Sequence, residues 1–179
     1  NRLSTDAPVI QAMIPLVMSL SANINSSDQA HEIARIMTGM GESYMHIICG
    51  SENIGQENLV AVLCSCVQHN DTEIAKIALP FWEDLKHYLI DRVKRFEAID
   101  DGALISEVSQ GWRNTFSRYA LQVFDSCFDH VFKILEDVDG NEHEDEDTLH
   151  DFGECIKACS LFLGWEACLQ RGFESLKRA

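Results

Sequence analysis

The sequence predicts an all-α protein built from antiparallel helix pairs. Apolar residues recur three and four positions apart over several turns in most of the chain. The 179 residues include only three prolines and ten glycines, so few positions interrupt regular structure. No segment alternates apolar and polar residues for long enough to indicate a strand. These three observations together favour long helices joined by short turns.

The first predicted pair occupies residues 7–50. Pro8 falls in the first turn of its first helix, where proline is tolerated. The apolar face of that helix, which we expect to be buried, consists of Val9, Met13, Leu16, Val17 and Leu20. The second helix carries its apolar residues at helical spacing over several turns: Ile33, Met37, Met40, Tyr44, Ile47 and Ile48.

The second predicted pair occupies residues 56–99. Its first helix runs from about Gln56 to His69, and the next one starts after a turn at Asn70. Asp71 is predicted to cap that helix, because its carboxylate can accept a backbone N–H and suits the helix dipole. Pro80 lacks a backbone donor and crowds the preceding turn, so it predicts a kink. The predicted buried stripe consists of Ile74, Ile77, Ala78, Phe81, Trp82, Leu85 and Leu89.

The third predicted pair occupies residues 103–164, and a partial repeat occupies residues 165–179. Its long first helix is expected to bury Trp112, Phe116, Tyr119, Val123, Cys127, Val131 and Leu135. The stretch EDVDGNEHEDED at residues 136–147 is too acidic and too poor in apolar residues to pack, which predicts an exposed loop. The apolar residues that follow are predicted to be buried on helices: Phe152, Ile156, Cys159, Phe162 and Leu163, then Trp165, Leu169, Phe173 and Leu176.

The spacing of the pairs predicts a repeat architecture. Starts near Pro8 and Gln56 lie about 48 residues apart, close to the ~40–47 residues expected of HEAT or armadillo repeats. Such units bury their apolar faces against their neighbours, and we therefore expect an α-solenoid of HEAT-like pairs in a right-handed superhelical stack. The periodicity alone also fits a compact helical bundle.

The charge balance favours basic partners. The 14 Lys and Arg residues against 29 Asp and Glu residues give a net charge of -15. Such a surface repels nucleic acid phosphates and anionic membranes, so neither is expected as a partner. Lys- or Arg-rich protein segments are the expected ligands, and no cofactor motif is recognisable.

The seven cysteines and the chain ends indicate a reducing environment and a piece of a longer protein. The number of cysteines is odd and most lie within apolar helical patterns, so we interpret them as reduced and buried rather than as disulfides. No signal peptide or sufficiently long apolar stretch indicates membrane insertion. The chain begins at Asn1 and its helical pattern runs almost to both ends, so we expect a piece of a longer protein.

Three segments in series resemble a known family. They are MGESYMHIICG (Met40 to Gly50), NDTEIAKIALPFWEDLKHYL (Asn70 to Leu89) and DFGECIKACSLFLGWEACLQ (Asp151 to Gln170). In content, order and spacing they resemble the transportin-SR branch of the importin-β superfamily of nuclear import receptors. The resemblance implies a middle section of HEAT repeats, from a receptor that shuttles between cytoplasm and nucleus.

The same resemblance implies partners. They are cargo proteins with basic or Arg/Ser-rich segments, Ran-GTP through parts of the receptor outside this section, and nucleoporins. The Ran-binding repeats of the family have no counterpart in this sequence. The Arg-rich helix that its members use on Arg/Ser-rich cargo has none either.

Acidic residues are the predicted partner-binding residues. Two of them, Glu83 and Asp84, lie on the predicted second helix of the second pair and are candidates for a concave inner surface. The others lie in the predicted acidic loop: Glu136, Asp137, Asp139, Glu142, Glu144, Asp145, Glu146 and Asp147. We interpret the loop as solvated, with a basic cargo segment as the functional alternative.

Other apparent motifs lack their required context. Asp151-Phe152-Gly153 matches the magnesium-binding tripeptide of protein kinases, but no Gly-rich loop or catalytic-loop motif accompanies it. In the acidic stretch, Gly140 falls two places too early for a calcium-binding EF-hand loop. The pairs Cys64/Cys66 and Cys155/Cys159 lack the spacing of structural zinc sites, so no metal site is predicted.

Two other classes of function stay open at this level. A static HEAT-repeat scaffold or adaptor subunit would show the same helix pairs without Ran control. An enzyme is the other class, with a cysteine hydrolase as its best version, but the chain shows no local signature for nucleophilic catalysis. We therefore predict a protein that binds other proteins and is not an enzyme.

Overall fold

The computed structural model describes residues 2–24, 29–50, 56–98, 102–136 and 142–177, and every regular element in these ranges is a helix. The helices are α1 (Arg2–Ser21), α2 (Ala30–Ser43), α3 (Met45–Ile48), α4 (Gln56–Val67), α5 (Thr72–Ile77), α6 (Leu79–Glu97), α7 (Gly102–Glu136), α8 (Glu142–Leu163) and α9 (Trp165–Leu176). The all-α class is confirmed, and the fold is consistent with a helical-repeat solenoid. None of the described helices has the length and apolar character that a membrane crossing requires.

The chain divides into two compact units after Phe81, within α6. In the first unit α4 lies against α1, α2, α3 and α5. Leu63 on α4 and Met37 on α2 are completely buried, as is Phe81 at the start of α6. Because apolar residues surround most of α4, it can contact several neighbours at once and forms the centre of this unit.

A glycine sets the close approach of α2 in this core. A Cβ atom at Gly41 would lie 2.7 Å from Cδ2 of Phe81 and 2.9 Å from Cδ1 of Leu63. Both distances are below van der Waals contact, so only glycine fits here without displacing a neighbour. At Gly39, two residues earlier on the same helix, a Cβ atom would meet nothing within 4 Å.

The predicted burial of the first helix is partly wrong. Val9 and Leu16 on α1 are 50% and 59% exposed. Apolar residues lie around most of the circumference of α1, whereas α2, α3 and α4 cover only part of it. Spacing alone therefore did not identify the face that packs.

The segment around Pro80 contains two helices where the sequence predicted one kinked helix. The helix α5 ends at Ile77, Ala78 separates the two, and Pro80 is the second residue of α6. Proline is well tolerated in a first turn, where its missing N–H would have no helical partner. The predicted cap is confirmed, because the Asp71 side chain accepts a hydrogen bond from the Glu73 N–H at 3.0 Å.

In the second unit α7 and α8 form an antiparallel hairpin. Phe116 in the first half of α7 contacts Phe162 near the end of α8, with ring centroids 5.8 Å apart. His130, later on α7, stacks on Phe152 at 5.0 Å. Because positions later on α7 meet positions earlier on α8, the two helices run in opposite directions.

The second helix of this hairpin begins earlier than the sequence predicted. α7 begins at Gly102, next to the predicted start of the pair at residue 103, whereas α8 begins at Glu142, within the predicted acidic loop. Residues 142–147 are thus helical. Carboxylates are stabilised in the first turn of a helix by its dipole, so an acidic stretch at a helix start is compatible with helix.

The last helix turns its apolar stripe outwards, contrary to the predicted burial. The four exposed residues of the stripe are Trp165 (69%), Leu169 (53%), Phe173 (63%) and Leu176 (59%). The opposite face, with Cys168, Gly172 and the buried Ser175, lies towards α7 and α8. Its small side chains permit close packing, and a Cβ atom at Gly172 would lie 3.5 Å from the Phe128 ring.

A single residue connects α8 to α9. Gly164 has φ of 80° and ψ of 150°, a conformation open almost only to glycine. An ion pair between the Arg171 guanidinium and Asp125 Oδ2, 3.2 Å apart, joins α9 to α7.

Candidate partner-binding surfaces

Three of the predicted acidic residues lie at one end of the α7–α8 hairpin. Glu136 is the last residue of α7 and is exposed, and Glu146 and Asp147 are exposed in the first turns of α8. The antiparallel arrangement places these three residues at the same end. Asp137 and Asp139 lie outside the described residues. Three more residues have a helical backbone in α8 and side chains outside the described part: Glu142, Glu144 and Asp145.

Glu83 and Asp84 lie on another helix. Both are on α6, where Glu83 is half-buried and Asp84 is exposed. The predicted acidic residues therefore form two groups on different helices, one on α6 and one at the end of α7 and the start of α8.

Three buried thiols meet where α7 packs on α8. Cys127, Cys155 and Cys159 are at most 1% exposed, and none of the seven cysteines forms a disulfide. The hydrogen bond with the Cys127 thiol, together with burial, raises the pKa of Cys155. The hydrogen bond with the Cys155 thiol, together with burial, raises the pKa of Cys159. Cys155 and Cys159 therefore stay protonated at neutral pH, which is the opposite of what a thiolate nucleophile or metal ligand requires.

The pKa of Cys66 and the absence of a metal-binding group among the described residues also argue against reactive or metal-binding cysteines. Burial, and then the neighbouring Cys64, raise the pKa of Cys66 to about 12. Within the described ranges no group of three or more His, Cys, Asp or Glu side chains is arranged to hold a metal ion. The six buried cysteines therefore act as small apolar core residues.

We expect thiol alkylation to report the fold directly. With iodoacetamide near neutral pH, only Cys168 should be labelled in the folded chain, because it is the one partly exposed cysteine and the other six are buried. Even Cys168 should react slowly, since partial burial raises its pKa. Intact mass spectrometry should show all seven cysteines labelled in concentrated guanidinium chloride. Fast native labelling of Cys66 or Cys155 would contradict the described packing.

A groove in the second unit was not predicted. Its volume is about 340 Å³, and it is lined by the C-terminal half of α6, the N-terminal half of α7 and the end of α8. The lining residues are Leu89, Ile90, Val93, Lys94, Glu97, Ser109, Trp112, Arg113, Leu161 and Phe162. The sequence held one signal for it, the basic residues interleaved with apolar ones in RVKRF at the end of α6.

Arg92, the first residue of that stretch, packs against one wall of the groove. The guanidinium carbon of Arg92 lies 5.7 Å from the centroid of the Trp112 ring and 6.0 Å from that of Phe96. Cation–π attraction at such distances favours a fixed orientation of the indole ring. The groove thus has an oriented aromatic wall together with basic side chains.

Two comparisons relate the chain to known proteins. Residues 25–99 match the family described as the second TPR domain of Transportin-3/Importin-13. Transportin MOS14 of Arabidopsis thaliana is 26% identical over 177 residues, which cover 94% of this chain and 18% of that protein. The chain therefore spans less than a fifth of the length of this relative. No solved structure matches the chain. Together the two matches confirm the resemblance seen in the sequence: the chain is similar to sections of transportin- and importin-type receptors.

Proposed function

We propose that the chain is a repeat section of a nuclear import receptor that binds cargo proteins and carries them through the nuclear pore. The observation that carries the proposal is the similarity to a transportin over 94% of the chain. Binding is reversible, and Ran-GTP controls it through repeats outside this section. Nucleoporins contact the same receptor during passage, and the protein shuttles between cytoplasm and nucleus.

The exposed stripe on α9 supports a role within a stack of repeats. Trp165, Leu169 and Phe173 are spaced four residues apart and each is more than half exposed. Repeat units of solenoids bury such faces against the neighbouring unit. In the receptor this stripe packs against a further helix pair, and it is not a cargo site.

The acidic end of the α7–α8 hairpin supports a basic cargo. Glu136, Glu146 and Asp147 project into solvent there, in a chain with a net charge of -15. At physiological salt such attraction extends only about 8 Å, so these residues act on a segment that already lies close to the hairpin end. Basic or Arg/Ser-rich segments satisfy this requirement.

A peptide titration tests the cargo proposal. We expect a phosphorylated Arg/Ser-repeat peptide to bind more tightly than a Lys-rich peptide of equal net charge, and to stay bound at moderate salt. The double reversal E146K/D147K should weaken binding about tenfold, because each exposed charge pair contributes at most about 1 kcal/mol. Calorimetry measures both affinities.

A matched variant controls for overall charge. E107K/E166K changes the net charge by the same amount and places both reversals on exposed residues, one near the start of α7 and one at the start of α9. Equal weakening by the two double variants, or loss of both peptides with salt, would contradict a site at the acidic end. Adding Ran-GTP to the full-length protein distinguishes a transport receptor from a static scaffold. The partner of a static scaffold would stay bound.

A further inference from the structure

The groove between α6, α7 and α8 differs in charge from the molecule as a whole. Lys94 and Arg113 line it, Glu97 is the single acidic residue among the described lining residues, and Arg92 stacks on its Trp112 wall. Asp91 pairs with Lys94 at 3.8 Å, but both side chains are about two-thirds exposed, so solvent screens the pair. A locally basic groove is notable in a chain with about twice as many acidic as basic residues.

The dipole of α6 explains only part of this charge. Lys94 lies in the last turn of α6, where a cation is favourable against the helix dipole. Arg113 lies well inside α7, three turns after Gly102, beyond the range of a helix-end effect. Its exposed side chain borders the groove.

The interior of the groove is apolar and small. Leu89 and Phe162 are buried beneath it, while Leu161 on its wall is 36% exposed. Its volume of about 340 Å³ is near the lower end of the range for ligand sites, about 300–1,000 Å³. Such a space suits one or two side chains and is too small for a packed helix. The occupant is therefore a short segment that inserts one large apolar side chain into the groove.

We propose that this groove binds a linear acidic segment of a partner protein through one aromatic or leucine anchor. The anchor inserts between Trp112 and Leu161, and flanking Asp or Glu side chains pair with Lys94 and Arg113. Charge complementarity selects this occupant over the basic segments proposed for the acidic hairpin end. The site does not depend on the proposed transport function, because it rests only on the geometry of the second unit.

A short designed peptide tests the site. The probe is the capped pentapeptide Asp-Glu-Phe-Asp-Glu with 4-fluorophenylalanine as its aromatic residue, and its ¹⁹F resonance is followed as protein is added. We expect broadening and a shift of this resonance that saturate with protein concentration. The same peptide with alanine as central residue, followed by calorimetry, should bind at least tenfold more weakly, and so should Lys-Lys-Phe-Lys-Lys.

Charge reversals in the protein locate the site. K94E/R113E should weaken binding of the acidic peptide at least tenfold. R35E, which reverses an exposed basic residue on α2 outside this unit, should change it less than twofold. All three side chains are exposed, so each variant should keep its melting temperature. No saturable binding, equal binding of the alanine or basic peptide, or equal loss in R35E would overturn the proposal.

Discussion

Replacing Phe81 with alanine is expected to lower the free energy of unfolding by about 3–5 kcal/mol. The Phe81 ring is completely buried, and it packs where α2 approaches most closely. Removing it leaves a cavity that the neighbouring helices close only partly, since Pro80 restricts the backbone beside it. Urea denaturation followed by circular dichroism measures the loss.

The exposed Phe173 provides the matched control for this substitution. Its side chain is 63% exposed, so F173A should change the free energy of unfolding by less than about 0.5 kcal/mol. Both variants lose the same atoms, and only the degree of burial differs. Similar losses in the two variants would show that Phe81 does not occupy the core position described.

Gly41→Ala and Gly39→Ala are expected to change stability in opposite directions. Alanine in a helix interior is intrinsically favoured over glycine by roughly 0.5–1 kcal/mol, and at Gly39 nothing opposes this gain. At Gly41 the new methyl group would lie 2.7 Å from the Phe81 ring. Overpacking of a core costs about 1–3 kcal/mol, which exceeds the helical gain. G39A should therefore stabilise the protein and G41A should destabilise it.

A double-mutant cycle tests the cause of this difference. If the Phe81 ring is what the new methyl group meets, much of the loss in G41A should disappear when Phe81 is also alanine. The Leu63 methyl group, 2.9 Å from the same Cβ position, accounts for any remainder. Strict additivity of G41A and F81A would contradict the contact.

The elements predicted well from sequence are those decided by local chemistry. The apolar pattern around Met37 gave α2, and the Asp71 side chain gave the start of α5, because neither depends on distant residues. The Pro80 segment was predicted less well, since a proline is compatible both with a kink and with a new first turn. The choice depends on the burial of the two aromatic residues that follow the proline, since Phe81 and Trp82 are both fully buried.

Burial on α9 illustrates a different limit. Its apolar residues share one face, and the sequence showed that correctly, but this face is the exposed one. The packing face carries Cys168, Gly172 and Ser175, whose small size allows contact with Phe128. Periodicity identifies residues that lie together on a helix, and it does not say which side has a neighbour.

The candidate sites were predicted only in part for the same reason. Glu136, Glu146 and Asp147 are close in sequence, so their location at one end of the hairpin followed once α7 and α8 were paired. The groove combines Lys94, Arg113 and Leu161 from three helices. Nothing in the local pattern of any one helix indicates that these side chains meet.

Because a single residue, Gly164, connects α8 to α9, a small rotation at this residue changes the position of the whole helix α9. Its 12 residues extend about 18 Å from that joint, so a rotation of only 10° there would displace the far end by roughly 3 Å. The Arg171–Asp125 ion pair and the packing of Gly172 beside Phe128 brace this helix beyond its midpoint. The backbone conformation of Gly164 thus sets the direction in which the exposed stripe from Trp165 to Leu176 faces. That direction determines from which side another helix pair could pack against it.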